Sequence, residues 1–249
     1  MLIVNASNMD KDWNWITKHN NTSATMSNVS DNYTLLAVQG PKAAEALQCL
    51  TEVDIINQKY YTFSVGQFAG IDNVIISATG YTGSGGYEIY IPNNKAIIIW
   101  DALFSNKEYD LKPVGLAARD TLRIEMGYCL YGNDINEKIS PFEANLSWIT
   151  KVETNFIGSN IIKAEIQKGL KRKLVGFKLL EKSIPRNGYE IYSIEKKIIG
   201  KVTSGTFSPI LKIGIGLAYI DNEYLEEKII YIKIRENFVK AEIFRPPFI

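Results

Sequence analysis

The chain has 249 residues, 46% of them hydrophobic, which is enough to build real cores, whether as one large domain or two to three smaller ones, and which excludes a disordered segment. Its 28 Lys and Arg against 27 Asp and Glu leave a net charge of +1, so nothing in the overall charge draws it to nucleic acid or to an anionic membrane. The only two cysteines, Cys49 and Cys129, form neither a disulfide framework nor a paired metal motif; no metal site is expected, and the usage fits a reducing, cytoplasmic setting.

Taken in order, no apolar run approaches the ~18 residues of a bilayer span, and the start of the chain lacks the regions of a signal peptide. Leu2 to Val4 reads as a strand, followed by an Asn5-Ala6-Ser7-Asn8 turn and a helix holding Trp13, Trp15 and Ile16. A strand that starts at residue two, with nothing before it to pair with, implies an element upstream. Lys18 to Asn32 is a polar loop, and the lone His19, with no acidic or Cys neighbour, reads as a surface residue rather than a base or ligand.

Leu35 to Gln39 is a short strand, and Gly40-Pro41 turns into a helix with Ala43, Ala44, Leu47 and Leu50 on its inner face. Strands follow around Tyr60 to Val65, Val74 to Ala78 and Tyr87 to Ile91, then a helix from Ile97 to Phe104. Helices interleaved in this way with strands that can pair as hairpins predict an α+β layer, with helices covering one face of a largely antiparallel sheet. The glycines of Gly80 to Gly86 do not make a dinucleotide fingerprint, because that motif opens a helix and the next element here is a strand. Two readings stay open. The glycines allow a ligand to approach the backbone, with Glu88 at the start of the strand, or the stretch is a plain turn beside an exposed Glu.

Leu116 to Asp134 reads as a helix stopped near Gly127 and followed by a Gly132-Asn133-Asp134 turn. At about 100° per residue, Leu116, Arg119, Asp120 and Arg123 share one stripe, while Ala118, Leu122 and Met126 share another. Either the helix end presents charge to a small polar ligand, or the stripe is a solvated face with an Asp120 to Arg123 pair; the pattern by itself favours the second. Pro141 to Trp148 resumes apolar packing, with Trp148 as core filler or as an aromatic face with an indole donor. The Lys168 to Lys173 basic run is short, lacks interleaved aromatics, and reads as a solvated linker. From Leu174 onward six short strands, from Leu174–Leu179 to Val239–Phe244, predict a small barrel or sandwich.

These stretches together resemble the T protein of the glycine cleavage system, a tetrahydrofolate-dependent aminomethyltransferase. The resemblance rests on Val4-Asn5-Ala6-Ser7-Asn8 with Lys11-Asp12, Leu36 to Pro41, Gly80-Tyr81-Thr82-Gly83 with Gly86-Tyr87-Glu88, and Gly115 to Arg123. It continues through Leu130 to Asp134, Leu146-Ser147-Trp148, and Val202 to Gly205 with Ser208-Pro209. It implies a folate-binding α+β fold with antiparallel sheets and flanking helices, plus a C-terminal all-β barrel or jelly roll. The expected domains are 1–45 with 139–163, 46–138, and 164–249. The implied chemistry is methylene transfer from the aminomethylated lipoyl arm of the H protein to tetrahydrofolate, with release of ammonia, in glycine degradation. Tetrahydrofolate and the lipoylated H protein are then the partners, with no metal, nucleic acid or membrane.

By the same resemblance, Glu88 contacts the aminopyrimidine edge of the pterin, and Arg119 holds either the pterin carbonyl or the acidic tail. Tyr128 and Trp148 are aromatic positions near the folate, and Asn5 is a polar one close to the pterin. Tyr81 is a loop-shaping residue. The family's catalytic aspartate falls in a portion upstream of Met1, so no residue here takes that role, and the expectation is a shortened member. Two alternatives follow: a folate-binding homologue with impaired catalysis, or a folate-binding protein of the iron–sulfur cluster maintenance type. The signature of the latter is not kept by Gly127 to Asn133, which leaves Cys129 as a packing residue.

Overall fold

The computed structural model describes residues 1–105 and 107–249. They form two compact units, 1–113 and 114–249.

In the first unit, helix α1 (Met9–His19) precedes strand β1 (Tyr33–Gln39) and helix α2 (Ala43–Gln48), and then come β2 (Phe63–Phe68), β3 (Ile71–Ser77), β4 (Gly86–Pro92) and α3 (Ala96–Ser105). The strands make one antiparallel sheet in the order β1-β4-β3-β2. Period-2 alternation divides its side chains between two faces. On one face Val38, Val74, Ile76, Tyr87, Ile89 and Ile91 pack with Ala43 and Leu47 of α2 and Ile99 and Leu103 of α3 into a single core. The opposite face carries Tyr33, Leu35, Phe63 and Val65, all exposed, with Glu88 and Tyr90 between them. The α+β expectation holds.

Two local readings change. Leu2 to Val4 is not a strand: residues 1–5 have no regular structure and Leu2 is 74% exposed, since a short apolar run becomes a strand only where a partner edge accepts its hydrogen bonds. The compact units are also drawn differently from the expected domains. β1 pairs with β4 and α2 crosses residue 45, so the stretches before and after that position share one core.

In the second unit, α4 (Leu116–Glu125) and α5 (Ser159–Lys168) precede β5 (Arg172–Leu179), β6 (Glu190–Tyr192), β7 (Ile198–Ser208), β8 (Ile213–Asp221), β9 (Ile229–Ile234) and β10 (Asn237–Phe244). These six strands close into a barrel ordered β10-β5-β8-β7-β6-β9, the barrel expected from their spacing. Closure leaves no strand edge open. Phe177, Ile191, Val202, Ala218, Ile220, Ile230, Ile232 and Ala241 fill the inside. Outside it, Ile124 of α4 packs with Leu174, Leu217, Tyr219 and Phe248. The basic run at 168–173 is only partly a linker: Arg172 and Lys173 open β5, and Arg172 Nε lies 3.0 Å from Glu143 Oε1, with its guanidinium 5.0 Å from the Tyr219 ring centre.

Candidate functional site

Glu88 stands near the middle of the open face of the first unit's sheet. Its neighbours across the strands are Ala37 on β1 and Ser77 on β3. Strand geometry puts Tyr90, two residues on, on the same face. The Glu88 carboxylate is half-buried and is held by two hydroxyls: Thr79 Oγ1 donates to its Oε2, and the Tyr90 side chain hydrogen-bonds to it. Burial first, and then the adjacent Glu88 charge, push the Tyr90 phenol up to about 12. A pinned carboxylate ringed by neutral donors and apolar side chains suits a flat, partly apolar ligand with an N–H edge.

The Gly80 to Gly86 stretch is the connection between the antiparallel pair β3 and β4, as its spacing suggests. Its shape is set by Gln39. The Gln39 amide nitrogen donates to the carbonyls of Val38, Thr79 and Tyr87 at 3.2–3.3 Å, and its oxygen accepts from Thr82 Oγ1 at 3.2 Å. A Cβ on Gly86 would lie 2.4 Å from Val38 O, a backbone atom, so that position has no room for a side chain; one on Gly80 would lie 1.8 Å from the Gln39 amide oxygen and would displace that amide. Tyr81 is half-buried within the connection. Asn5 lies before α1, exposed, with Oδ1 accepting from Ser7 Oγ at 3.0 Å.

The remaining expected residues belong to the second unit. Arg119 is exposed on α4. Tyr128 is half-buried in the turn after the helix, and its carbonyl accepts from Arg123 Nη1 at 3.0 Å. Trp148 is 65% exposed in a single 3-10 turn and so is not core filling. Arg123 is the main departure from the expected solvated stripe. The Asp120 pair exists, at 2.7 Å, but Arg123 is 1% exposed and its second partner is the fully buried Asp134 at 2.6 Å. Glu125 is also buried, with Oε1 accepting from Ser208 Oγ at 2.5 Å. Cys129 packs beside the outer barrel cluster; burial, with Asp134 adding to it and Arg123 opposing, pushes its thiol up to about 11.

Sequence reasoning passed over Thr79, Tyr90, Gln39 and the Arg123–Asp134 pair. Tyr90 had a visible signal in its period-2 spacing from Glu88, while Gln39, Arg123 and Asp134 lie in stretches that carry the family resemblance but offered no sign of their partners. Among the described residues there is no cluster of three or more His, Cys, Asp or Glu able to hold a metal, and no helix is long and apolar enough to cross a membrane.

Comparison with known proteins gives a consistent result. A family model described as the GCVT N-terminal domain matches residues 1–154, and one described as the glycine cleavage T-protein C-terminal barrel domain matches residues 172–249. The aminomethyltransferase of Flavobacterium psychrophilum is 53% identical over 250 residues, covering 100% of this chain and 69% of that protein. That of Bacteroides fragilis is 52% identical over 254 residues, covering 100% of this chain and 70% of its own length. The crystal structure of glycine cleavage system aminomethyltransferase T from Bartonella henselae superposes with a TM-score of 0.88 at 29% identity, over 98% of this chain and 67% of that one. With both domain models matched and relatives above half identity along its whole length, this chain belongs to the glycine cleavage T-protein family of aminomethyltransferases.

Proposed function

We propose that the chain catalyses the family's one-carbon transfer, taking a methylene group from the aminomethylated lipoyl arm of an H protein and passing it to tetrahydrofolate, with ammonia released. The observation that carries the reading is Glu88 on its open sheet face. A carboxylate there accepts two parallel hydrogen bonds from the aminopyrimidine edge of a pterin, while the surrounding apolar side chains take the ring. Tetrahydrofolate supplies the nitrogen nucleophile, and the chain supplies orientation: Thr79 and Tyr90 hold the carboxylate in one rotamer, so little freedom is lost when a ligand arrives. Arg119, Tyr128, Trp148 and Asn5 are proposed as further folate contacts. Arg119 offers a fixed fork of donors, and Trp148 an exposed aromatic face.

The test is formation of methylenetetrahydrofolate from aminomethylated H protein, run beside a folate-binding titration. Product and binding are expected together. Binding without product would leave a folate-binding homologue in place of an enzyme, and neither would remove the Glu88 assignment as well.

A further inference from the structure

The backbone around Tyr128 lies outside any helix or strand, and two of its polar groups are taken by side chains that are themselves buried. Arg123 Nη1 donates to the Tyr128 carbonyl at 3.0 Å and to Asp134 Oδ2 at 2.6 Å. Its Nη2 donates to Ser204 Oγ at 2.8 Å. Asp134 Oδ2 also accepts the Leu130 N–H and the Ser204 hydroxyl, both at 2.9 Å, and Oδ1 accepts the Thr203 hydroxyl at 2.5 Å. One carboxylate, 0% exposed, therefore gathers the helix arginine, the turn's own amide and two hydroxyls of β7, while the Tyr219 hydroxyl of β8 donates to the Asp134 carbonyl at 2.9 Å.

We propose that Asp134, acting with Arg123, is a positioning residue for folate. It fixes the Tyr128 turn against the barrel, and it governs folate affinity without touching the ligand. Burying two charges costs more in desolvation than an apolar pair of the same size, so stability alone is a weak reason for such a pair. What the pair does here that an apolar pair cannot do is bind the carbonyl of Tyr128 and the amide of Leu130, which flank Cys129 directly after the Tyr128 side chain. The inference rests on the reading of Tyr128 as a folate contact.

The test uses Asp134→Asn, which keeps the shape and loses the charge, and Ser204→Ala, which removes one donor and leaves the ion pair in place. If the first fails to fold, the second carries the test. Folate Kd, KM for tetrahydrofolate, kcat and Tm are measured for each, alone and combined with Tyr128→Ala. The expected result for each is a rise in Kd and KM of about five-fold or more, the scale of one lost hydrogen bond, shrinking to less than about two-fold in the Tyr128→Ala background. A fall in Tm with unchanged Kd and KM is what a merely structural pair would give, and it overturns the proposal. An unchanged Kd in Tyr128→Ala alone overturns the reading of Tyr128 and the proposal with it. That result is distinct from one in which Tyr128→Ala weakens binding and Ser204→Ala does not, which overturns the positioning role only.

Discussion

Glu88 is held in place by its own neighbours, and this sets what its removal should do. The hydroxyls of Thr79 and Tyr90 both converge on its carboxylate. A ligand N–H edge then meets an acceptor already oriented toward it. Glu88→Ala should weaken folate binding by ~2 to 3 kcal/mol, the scale of charge-assisted hydrogen bonds, and Glu88→Gln should recover only part of this because one of its two terminal atoms becomes a donor. Titration of the purified variants checks both, and an unchanged Kd for the alanine variant would remove Glu88 from the site. Cys129 shows the opposite kind of environment. With its thiol pushed up to about 11, chiefly by burial, it stays protonated and poorly nucleophilic near pH 8. Cys49 is exposed. An alkylating reagent at pH 8 should therefore modify Cys49 well before Cys129, as read by mass spectrometry of the intact protein; equal rates at both would contradict the burial argument.

At the scale of elements, the connection between β3 and β4 shows two reasons for glycine that can be separated. Gly86, at φ +134°, would place a Cβ 2.4 Å from Val38 O and 2.7 Å from Gln39 Cα, backbone atoms that cannot swing aside, whereas Gly85, at φ +76°, has nothing within 4 Å. Gly85→Ala should cost only the strain of its backbone region, ~1 kcal/mol, and Gly86→Ala about 3 kcal/mol or more because steric conflict adds to strain. Urea unfolding of the two variants measures the difference, and equal losses would mean that strain alone governs both. The hairpin itself was legible from its spacing, and so were α4, from its periodicity and Gly127, and the six barrel strands, from their turn signals. Those signals are local. The row of Tyr33, Leu35, Phe63 and Val65 around Glu88 was not legible, because it depends on the pairing register of strands far apart in the chain, with Ala37 opposite Glu88 and Tyr33 opposite Pro92. Arg123 was misjudged for the same reason. An Asp and an Arg three apart look alike whether solvated or buried, and the partners that bury this one include Ser204, 81 residues away.

Across the whole molecule, among the described residues, burial is the leading cause that favours the neutral form of four acids, Tyr87, Tyr90, Cys129 and Tyr219. Tyr90 in the first unit is pushed up to about 12, and Cys129 in the second up to about 11; Tyr219, also in the second, is raised by burial first, with Cys129, Glu143 and Asp134 adding to it and Arg172 opposing. In the unfolded chain these groups ionise near their ordinary values, 9.0 for the thiol and 10.0 for the phenols. Each group whose folded pKa lies above the unfolded one contributes stability that is fully present below the unfolded value and is lost as the pH rises through the folded one. Stability should therefore hold to about pH 9 and fall between there and about pH 12. Lysine and tyrosine side chains in general titrate in this window, so the share of a buried phenol is read by difference between variants. Tyr219→Phe supplies that difference. It removes a raised phenol, 5% exposed, whose hydroxyl donates to the Asp134 carbonyl at 2.9 Å. The variant should be less stable than wild type at pH 8 by about 1 kcal/mol, one buried hydrogen bond. The gap should narrow or reverse by pH 11, because the wild type must then ionise a buried phenol or hold it neutral against the solution, and the variant has none. Urea midpoints at pH 8, 10 and 11 decide it. Parallel curves for the two proteins across that range would show that the Tyr219 environment does not link folding to pH.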